Sequence, residues 1–405
     1  MAVTMSPMDA ASAAGEREVD PARPPAVVEP GPALSGDRLA RYGRQLLMPG
    51  FGQDAQRRLA NARVLVVGAG GLGSASVPYL AGAGVGTIGI IDTDVVELSN
   101  LHRQISHGMR DLGRSKAQSL ADTIAAIDPE ITVRLHEVWL DSSNALELFS
   151  HYDLIMDGSD NFATRYLTND AAALSHLPLV WGAILRYSGQ ASVAYSEYGP
   201  TYRDLFPSPP APDEVLSCSV GGVLPSVCAS IGAIMATEAI KLITGIGEPL
   251  IGRVTTYDAL TGRYRELAYR ASPDAAPITE LVDYELFCGR GPAPTAGTEN
   301  SVSVDVGELS ARIDAGTPFQ LVDVREPFEA QIATIDGADL IPLATVEESI
   351  QRFRTDVPVV VYCHHDARSQ RAAGILRANG VNNVQWLEGG IDAYARFVDA
   401  SLARY

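Results

Sequence analysis

The sequence predicts two consecutive α/β domains: a Rossmann-like, doubly wound, mainly parallel sheet with an antiparallel extension, and then a smaller α/β domain. Three observations support this prediction. Apolar, β-branched runs that end in Gly, Asp or Cys alternate with helical patterns along the chain. The chain has 405 residues, more than one domain usually holds. A stretch rich in Gly, Pro, Ala and Thr separates two such series.

The elements of the first domain follow from periodicity. Residues 63–67 form a continuous apolar run, typical of a buried strand in a parallel sheet. A helical pattern covers 72–83, and another at 115–127 is stopped by Asp128-Pro129. Further strands are predicted at 87–91, 131–136 and 152–156, and strands with antiparallel pairing near 191–195 and 254–257.

Changes in composition predict the domain boundaries. Residues 1–35 are rich in Ala, Pro, Glu and Gly and lack the pattern of a secretory signal, so we expect a disordered N-terminal tail. The first domain should span 36–290, a linker 291–302, and the second domain 303–405. The second domain should contain strands at 319–323 and 359–362 and a helix at 368–378.

Composition also excludes several classes of protein. The formal net charge is −18, and an acidic surface disfavours nucleic acid and anionic membranes as partners. The most apolar later segment, 227–243, contains Glu238 and Lys241, so it predicts a buried helix rather than a membrane span. The four cysteines are widely spaced and suit a reducing cytoplasm, the predicted location.

A glycine-rich turn, G-A-G-G-L-G at 68–73, lies between the first strand and its helix. Glycines there let the backbone approach phosphates, and the helix N-terminus offers unpaired N–H groups. Asp92 ends the next strand, where a carboxylate can accept hydrogen bonds from ribose hydroxyls. On these features alone, a nicotinamide-binding Rossmann fold would be the first interpretation.

The surrounding motifs favour a different reaction. They contain Arg44, Arg103 and Lys116, and Asp160 follows another strand. Hydride transfer has little need for so many cations beside a phosphate. Attack of a carboxylate on a nucleotide α-phosphate does need them, because both reactants are anions and charge builds on the phosphoryl oxygens. Mg²⁺ held by an Asp would assist.

Five motifs occur in order: R-Y-x-R-Q, G-A-G-G-L-G, I-D-x-D-x-V-x-x-S-N-L-x-R-Q, G-x-x-K and D-x-x-D-N. With them, residues 39–289 resemble the ubiquitin-activating-enzyme-like adenylyltransferases of the MoeB, MoeZ and ThiF type. The resemblance implies ATP and Mg²⁺, with Asp160 nearest the metal, and a homodimer in which Arg44 reaches the partner's phosphates. The residues expected around ATP are Gly68, Gly70, Gly71, Gly73, Asp92, Ser99, Asn100, Arg103, Lys116, Asp160 and Asn161.

The resemblance also implies a protein substrate, the C-terminal Gly-Gly of a ubiquitin-like sulfur carrier. The enzyme would adenylate that carboxylate and release pyrophosphate, so that AMP becomes the leaving group. Whether the sulfur then serves molybdopterin, thiamine, cysteine or a secondary metabolite stays open.

The chain departs from the family at two places. Many relatives bind structural zinc through two C-x-x-C pairs, whereas this chain has T-Y-R-D at 201–204 and only Cys288 at the later position. We therefore expect no zinc and a segment held by packing, with the run 205–212 as a candidate. Cys218 occupies the position of the family's mobile-loop cysteine, and both a covalent role and a non-catalytic role stay open.

Residues 301–405 resemble a rhodanese domain through L-V-D-V-R-E, Y-C-H-H-D-A-R-S and L-E-G-G-I. Cys363 ends a strand just before a helix, and the positive helix end favours the thiolate and then a persulfide. Arg368 should order the loop and add positive field. The pair Asp323 and Arg325 is expected to be structural.

The cysteine loop carries Asp366 where the family pattern has glycine. Asp tolerates left-handed backbone geometry, so the turn could survive. Its carboxylate would oppose an anionic persulfide unless it points to solvent or to Arg368; otherwise the loop is slower or tuned to another donor. His364 and His365 are expected to be exposed and without a role.

Together these motifs predict adenylation followed by sulfur transfer. Cys363 would take sulfur from a cysteine desulfurase or thiosulfate, and its persulfide would attack the acyl-adenylate. Cys218 or an external thiol would then reduce the acyl disulfide. Two alternatives stay open: a nicotinamide dehydrogenase, and a carrier-docking scaffold with impaired sulfurtransferase activity.

Overall fold

A computed structural model describes residues 24–209, 221–273, 277–288 and 303–404. The chain divides into two compact units, Met1–Pro292 and Ala293–Tyr405, and each is treated by itself. Cys218, the predicted tail up to residue 23 and the predicted linker lie outside the described residues.

The first unit contains an eight-stranded sheet within the described ranges. Its elements in chain order are α1 (Gly36–Arg41), α2 (Gly43–Leu46), α3 (Gly52–Asn61), β1 (Arg63–Val67), α4 (Gly71–Ala83), β2 (Thr87–Ile91), α5 (Lys116–Ile127), β3 (Thr132–His136), α6 (Ala145–Phe149), β4 (Leu154–Asp157), α7 (Phe162–Leu174), β5 (Leu179–Leu185), β6 (Ser188–Ala194), α8 (Tyr202–Leu205), α9 (Pro225–Thr244), β7 (Arg253–Asp258), β8 (Arg263–Ala268) and α10 (Tyr284–Phe287).

The strand order is β3-β2-β1-β4-β5-β6-β7-β8. The strands from β3 to β5 pair in parallel, and those from β5 to β8 pair antiparallel. The predicted doubly wound sheet with an antiparallel extension is therefore confirmed. The order reverses direction at β1 and β4, the switch point where such sheets bind ligands outside the strand ends.

The sheet is buried because each central strand supplies two hydrophobic cores. In β1, Val64 and Val66 face one core, and Leu65 and Val67 face the other. This is the two-residue period of a strand. The continuous apolar run read from the sequence therefore follows from helices covering both faces.

Helix α9 is the central helix of one of these cores. Its length and composition would let it cross a membrane, but 61% of its most apolar stretch is buried inside the protein. Packing is close: a Cβ on Gly232 would lie 2.7 Å from the Cβ of Ala75, and one on Gly182 would lie 2.5 Å from the sulfur of Met235. The predicted buried helix is confirmed.

The second unit contains a parallel sheet with the order β11-β10-β12-β13-β9. Its elements are β9 (Ser303–Val304), α11 (Val306–Asp314), β10 (Gln320–Asp323), α12 (Pro327–Ala330), β11 (Asp339–Leu340), β12 (Val359–Tyr362), α13 (Ala367–Ala378), β13 (Val384–Leu387) and α14 (Gly390–Phe397). Strand β12 lies near its centre and is fully buried. The predicted second α/β domain is confirmed.

Candidate active sites

A cavity of about 1280 Å³ opens at the carboxyl ends of the parallel strands of the first unit. Its walls include the glycine turn after β1, Asp92 after β2 and the loop after β4. The predicted residues that line it are Gly68, Gly70, Gly71, Asp92, Asn100, Arg103, Lys116, Asp160 and Asn161. The fold therefore brings together residues up to 93 positions apart in the chain.

The glycines of the turn have different physical roles. Gly68 has φ +94°, a conformation that L side chains rarely adopt. Gly73, predicted to contact the nucleotide, does not line the cavity within the described residues. A Cβ on Gly73 would lie 1.9 Å from the carbonyl oxygen of Gly68, so this glycine lets helix and turn pack together.

Asp92 braces the turn from the neighbouring strand. One carboxylate oxygen accepts a hydrogen bond from the amide of Ala69 at 2.7 Å, and the other accepts one from the amide of Asp94 at 2.8 Å. Burial raises the pKa of Asp92 above its usual range, although these hydrogen bonds oppose the shift. The carboxylate is therefore held in place beside the phosphate turn.

The cations of the cavity are also positioned by neighbours. The buried Lys116 Nζ lies 2.8 Å from an oxygen of Asp94. Arg103 donates from Nη1 to the carbonyl oxygen of Ser99 at 3.0 Å. Ser99 itself is exposed and is not part of the cavity wall among the described residues. Through its carbonyl oxygen, Ser99 orients Arg103, and its own place around ATP stays a prediction.

Asp160 and Asn161 are neighbours in the chain but have different roles at the cavity. Asp160 is exposed into the cavity, and within the described ranges its carboxylate has no hydrogen bond or ion pair. The side-chain oxygen of Asn161 accepts from the amide of Thr164 at 2.8 Å and caps α7. Asp160 is therefore available to a ligand, while Asn161 fixes the loop that presents it.

Arg44 lies outside the cavity, exposed on the short helix α2. The arm that carries it is anchored: the hydroxyl of Tyr42 donates to buried Asp128 at 2.6 Å, and Gln45 Nε2 donates to the carbonyl oxygen of Ala83 at 3.0 Å. Arg38 adds an ion pair to Asp128 at 2.6 Å. Arg44 is therefore presented outward from a fixed base.

The structure adds cavity residues that the sequence analysis did not single out. Gln104 is buried beside Gly70, and its Oε1 has no hydrogen-bond partner in the described part of the chain. Trp139 lines the cavity with 64% of its surface exposed. Arg165 lies one helical turn after Asn161 and is almost fully buried. Only the helical spacing of Arg165 gave a signal in the sequence.

The segment 201–204, where relatives carry zinc cysteines, is held by an ion pair. Arg203 donates to the two oxygens of Asp170 at 2.7 and 2.6 Å, and the hydroxyl of Tyr284 donates to Asp170 at 2.6 Å. The guanidinium lies 4.8 Å from the ring centroid of Phe287. In the described part of the run 205–212, Leu205 and Phe206 pack against the core as expected, and the ion pair of Arg203 in addition joins α8 to α7 and α10. Residues 210–212 lie outside the described part.

We expect Asp170→Asn to lower the free energy of unfolding by about 3–5 kcal/mol, because the half-buried charge of Arg203 loses its partner. Asp170 is 2% exposed. Urea unfolding followed by fluorescence would measure the change. Asp54→Asn is the matched control, since Asp54 pairs with Arg57 on the surface and should cost under about 1 kcal/mol. Equal effects of the two changes would contradict this assignment.

In the second unit, Cys363 follows β12 and is buried, with Sγ 3.5 Å from the hydroxyl of Ser369. The amides of Ile391 and Asp392 donate to the carbonyl oxygens of Cys363 and His364 at 2.9 and 3.1 Å. A Cβ on Gly390 would lie 2.5 Å from the carbonyl oxygen of Cys363. The second glycine of L-E-G-G-I, Gly390, is therefore needed for this close contact.

Arg368 is paired with an acid. Its two terminal nitrogens donate to the oxygens of buried Glu329 at 2.6 and 2.8 Å. Burial opposes ionisation of Glu329, but the hydrogen bonds from Arg368 outweigh it and hold the pKa of Glu329 below its usual range. Arg368 orders the loop against α12 as predicted, but Glu329 offsets the positive field expected from it.

Asp366 keeps the turn without left-handed backbone geometry, since its φ is −131°. Its half-buried carboxylate accepts a hydrogen bond from the amide of Gly389 at 2.8 Å and does not pair with Arg368. His364 is half-buried rather than exposed, and burial lowers its pKa to about 4, so it is neutral near pH 7. His365 is exposed.

Comparison with known proteins identifies the family. The ThiF family matches residues 42–277. This chain belongs to the ThiF family. A rhodanese-like domain matches residues 305–397. The chain is 51% identical over 387 residues to the probable adenylyltransferase/sulfurtransferase MoeZ of Mycobacterium tuberculosis (strain ATCC 25618 / H37Rv), covering 94% of this chain and 99% of that protein.

A second relative and a solved structure are also similar to this chain. The adenylyltransferase and sulfurtransferase MOCS3 of Drosophila ananassae is 39% identical over 391 residues, covering 92% of this chain and 86% of its own length. The structure of E. coli MccB has the same fold over 62% of this chain and 75% of its own, with a TM-score of 0.53 and 19% identity. The predicted combination of adenylyltransferase and sulfurtransferase is confirmed, and ATP use follows from the family.

Proposed function

We propose that the first unit adenylates the C-terminal Gly-Gly carboxylate of a ubiquitin-like sulfur carrier, and that the second unit converts the acyl-adenylate into a thiocarboxylate. The observation that carries the proposal is the convergence of Lys116, Arg103 and Asp160 on the glycine turn of one cavity. Lys116 and Arg103 can stabilise the negative charge that develops when a carboxylate attacks an α-phosphate, and Asp160 can hold a metal ion beside it.

Different residues of the cavity bind the phosphates, stabilise the developing charge and hold the ribose in the first reaction. Amides of the turn at Gly70 and Gly71 bind phosphate oxygens at the start of α4. Lys116 and Arg103 stabilise negative charge as the carboxylate oxygen bonds to phosphorus and pyrophosphate leaves. Asp92 is placed to hold the ribose.

Asp160 fits a Mg²⁺ site, since it presents an oxygen ligand without a protein partner in the described ranges, next to the phosphate turn. Mg²⁺ supplies a Lewis acid that neutralises phosphate charge. One carboxylate together with substrate phosphates is a common way to hold this ion. We propose that Mg²⁺ binds at Asp160 and that the protein binds no zinc. The Arg203–Asp170 ion pair supports the second statement, because it holds the segment where relatives carry zinc cysteines.

We propose that Cys363 carries the sulfur as a persulfide. Its persulfide attacks the acyl carbon, a C–S bond forms, and AMP leaves with the C–O bond electrons. A thiol, from Cys218 or from outside, then attacks the disulfide, takes one sulfur into a new disulfide, and releases the carrier thiocarboxylate. We propose a cysteine desulfurase or thiosulfate as the sulfur donor, and a reducing cytoplasm as the location. The small number and wide spacing of the cysteines in the sequence support this location.

The direct test is to incubate the protein with ATP, Mg²⁺, thiosulfate, a reducing thiol and a Gly-Gly carrier, and to weigh the carrier by mass spectrometry. We expect a mass gain equal to one oxygen replaced by sulfur. Omission of ATP should abolish it. Absence of any mass gain, with no sulfur loaded onto Cys363 from thiosulfate, would favour a carrier-docking scaffold with impaired sulfurtransferase activity instead.

We further propose a homodimer in which Arg44 completes the partner's site. Arg44→Ala and Lys116→Ala proteins should each be nearly inactive in pyrophosphate exchange. Mixed and re-equilibrated one to one, they should regain about one quarter of the unaltered rate, since half of the dimers then hold one complete site of two. No recovery, with subunit exchange verified by tags, would place Arg44 in its own subunit's site or outside catalysis.

A further inference from the structure

One buried cation in the first unit lacks a counter-charge. Among the described residues, the fully buried cations are Arg38, Lys116, Arg165 and Arg325. Arg38 forms an ion pair with Asp128, Lys116 with Asp94, and Arg325 with Asp323. Arg165 is 6% exposed and has no carboxylate within ion-pair distance in the described part of the chain. Burying an unpaired charge is costly, so the exception calls for an explanation.

The surroundings of Arg165 hold it without neutralising it. Nη2 donates to the carbonyl oxygens of Ser159 and Gly182 at 2.7 and 2.9 Å, while Nε has no hydrogen-bond partner in the described ranges. The nearby buried carboxylate of Asp157 is already satisfied by Ser159 and by the hydroxyl of Thr168 at 2.7 Å. The guanidinium carbon also lies 6.0 Å from the ring centroid of Tyr202, so neutral groups hold the side chain and it has no ion-pair partner among the described residues.

Its position in the cavity indicates which anion it meets. Along the sheet edge, Asp92 follows β2, the glycine turn follows β1 and Asp160 follows β4. Arg165 lines the same cavity one strand further, beside Gly182 of β5. The groups proposed for ribose, phosphates and metal thus lie on one side of Arg165 along the sheet edge, and the antiparallel strands lie on the other side.

We propose that Arg165 binds the terminal carboxylate of the carrier and holds it for attack on the α-phosphate. A planar guanidinium matches a carboxylate in shape and charge. The direct partners of the guanidinium are neutral, so no ion pair has to break before it meets the carboxylate of the substrate. This assignment rests on the proposed function and names the residue that selects a free carboxylate.

The test compares one carrier in two forms, ending in a carboxylate or in a carboxamide, bound to the protein without nucleotide. The probe is a Gly-Gly ubiquitin-like protein that supports pyrophosphate exchange with the unaltered enzyme. Arg165→Gln should weaken binding of the carboxylate form about 30-fold and of the carboxamide form less than about threefold. Arg165→Lys should recover part of the loss, and covers the case in which the glutamine variant does not fold.

Arg134→Gln, an exposed arginine on β3 outside the cavity wall, is the matched control and should change neither affinity. An unchanged preference for the carboxylate in both Arg165 variants would overturn the assignment. Loss of ATP affinity with that preference intact would show a phosphate ligand and would also overturn it. If no Gly-Gly protein supports exchange with the unaltered enzyme, the proposed function itself fails.

Discussion

Cys363→Ser should abolish sulfur transfer to the carrier, a loss of at least about 10³-fold, while pyrophosphate exchange stays within about twofold. A serine hydroxyl cannot carry a terminal sulfur as a persulfide. The two reactions belong to separate compact units, so the loss should be confined to one. Mass spectrometry of the carrier and of residue 363 would follow the sulfur.

The matched control for this change is Cys288→Ala. Cys288 is buried beside Tyr284 in the first unit and takes no part in the proposed chemistry. It should retain sulfur transfer within about threefold, after allowance for any loss of stability. If Cys363→Ser kept more than about a tenth of the sulfur transfer, the persulfide would have to be carried by another thiol, with Cys218 the first to examine.

Lys116→Ala should lower carrier-dependent pyrophosphate exchange by about 10²–10³-fold, the usual cost of removing one group that stabilises charge in the transition state. Lys116 is buried at the cavity wall beside Asp94, so water cannot easily replace its ammonium. Its loss would also leave Asp94 unpaired, adding negative charge near the phosphates. Loading of Cys363 with sulfur from thiosulfate should be unchanged.

Arg110→Ala controls for a general loss of positive charge. Arg110 lies six residues before Lys116 in the sequence, is 83% exposed and does not line the cavity. It should keep exchange within about threefold. Exchange in Lys116→Ala within tenfold of the unaltered protein, with the fold intact, would remove the charge-concentration argument on which the adenylation proposal depends.

Several parts of the fold and site were predictable because their causes are local. The apolar run of β1 and the glycine turn after it identify a buried strand and a phosphate-binding corner from neighbouring residues alone. Boundaries were less reliable: the strand predicted at 152–156 begins at Leu154, since the amide of Tyr152 donates to the carbonyl oxygen of Phe149 in the turn after α6. The buried helix α9 was predictable from its charged residues and length.

Other features depend on contacts between distant residues. Nothing local separates Gly73, which packs against Gly68, from Gly71, which lines the cavity. Arg203 and Asp170 are 33 residues apart, and Asp366 and Gly389 are 23 apart. Composition cannot pair such groups, because their distance is set by how helices and strands pack.

Local patterns thus sufficed for the two α/β domains, the nucleotide turn and the cysteine loop, because period, glycine geometry and helix ends act over a few residues. Which side chains pair with one another was decided only by the tertiary structure. In the sequence alone, nothing distinguishes Arg368, which pairs with Glu329, from Arg165, which has no ion-pair partner among the described residues. Packing decides whether a buried arginine receives a counter-charge, and therefore whether its charge is structural or is available to a ligand.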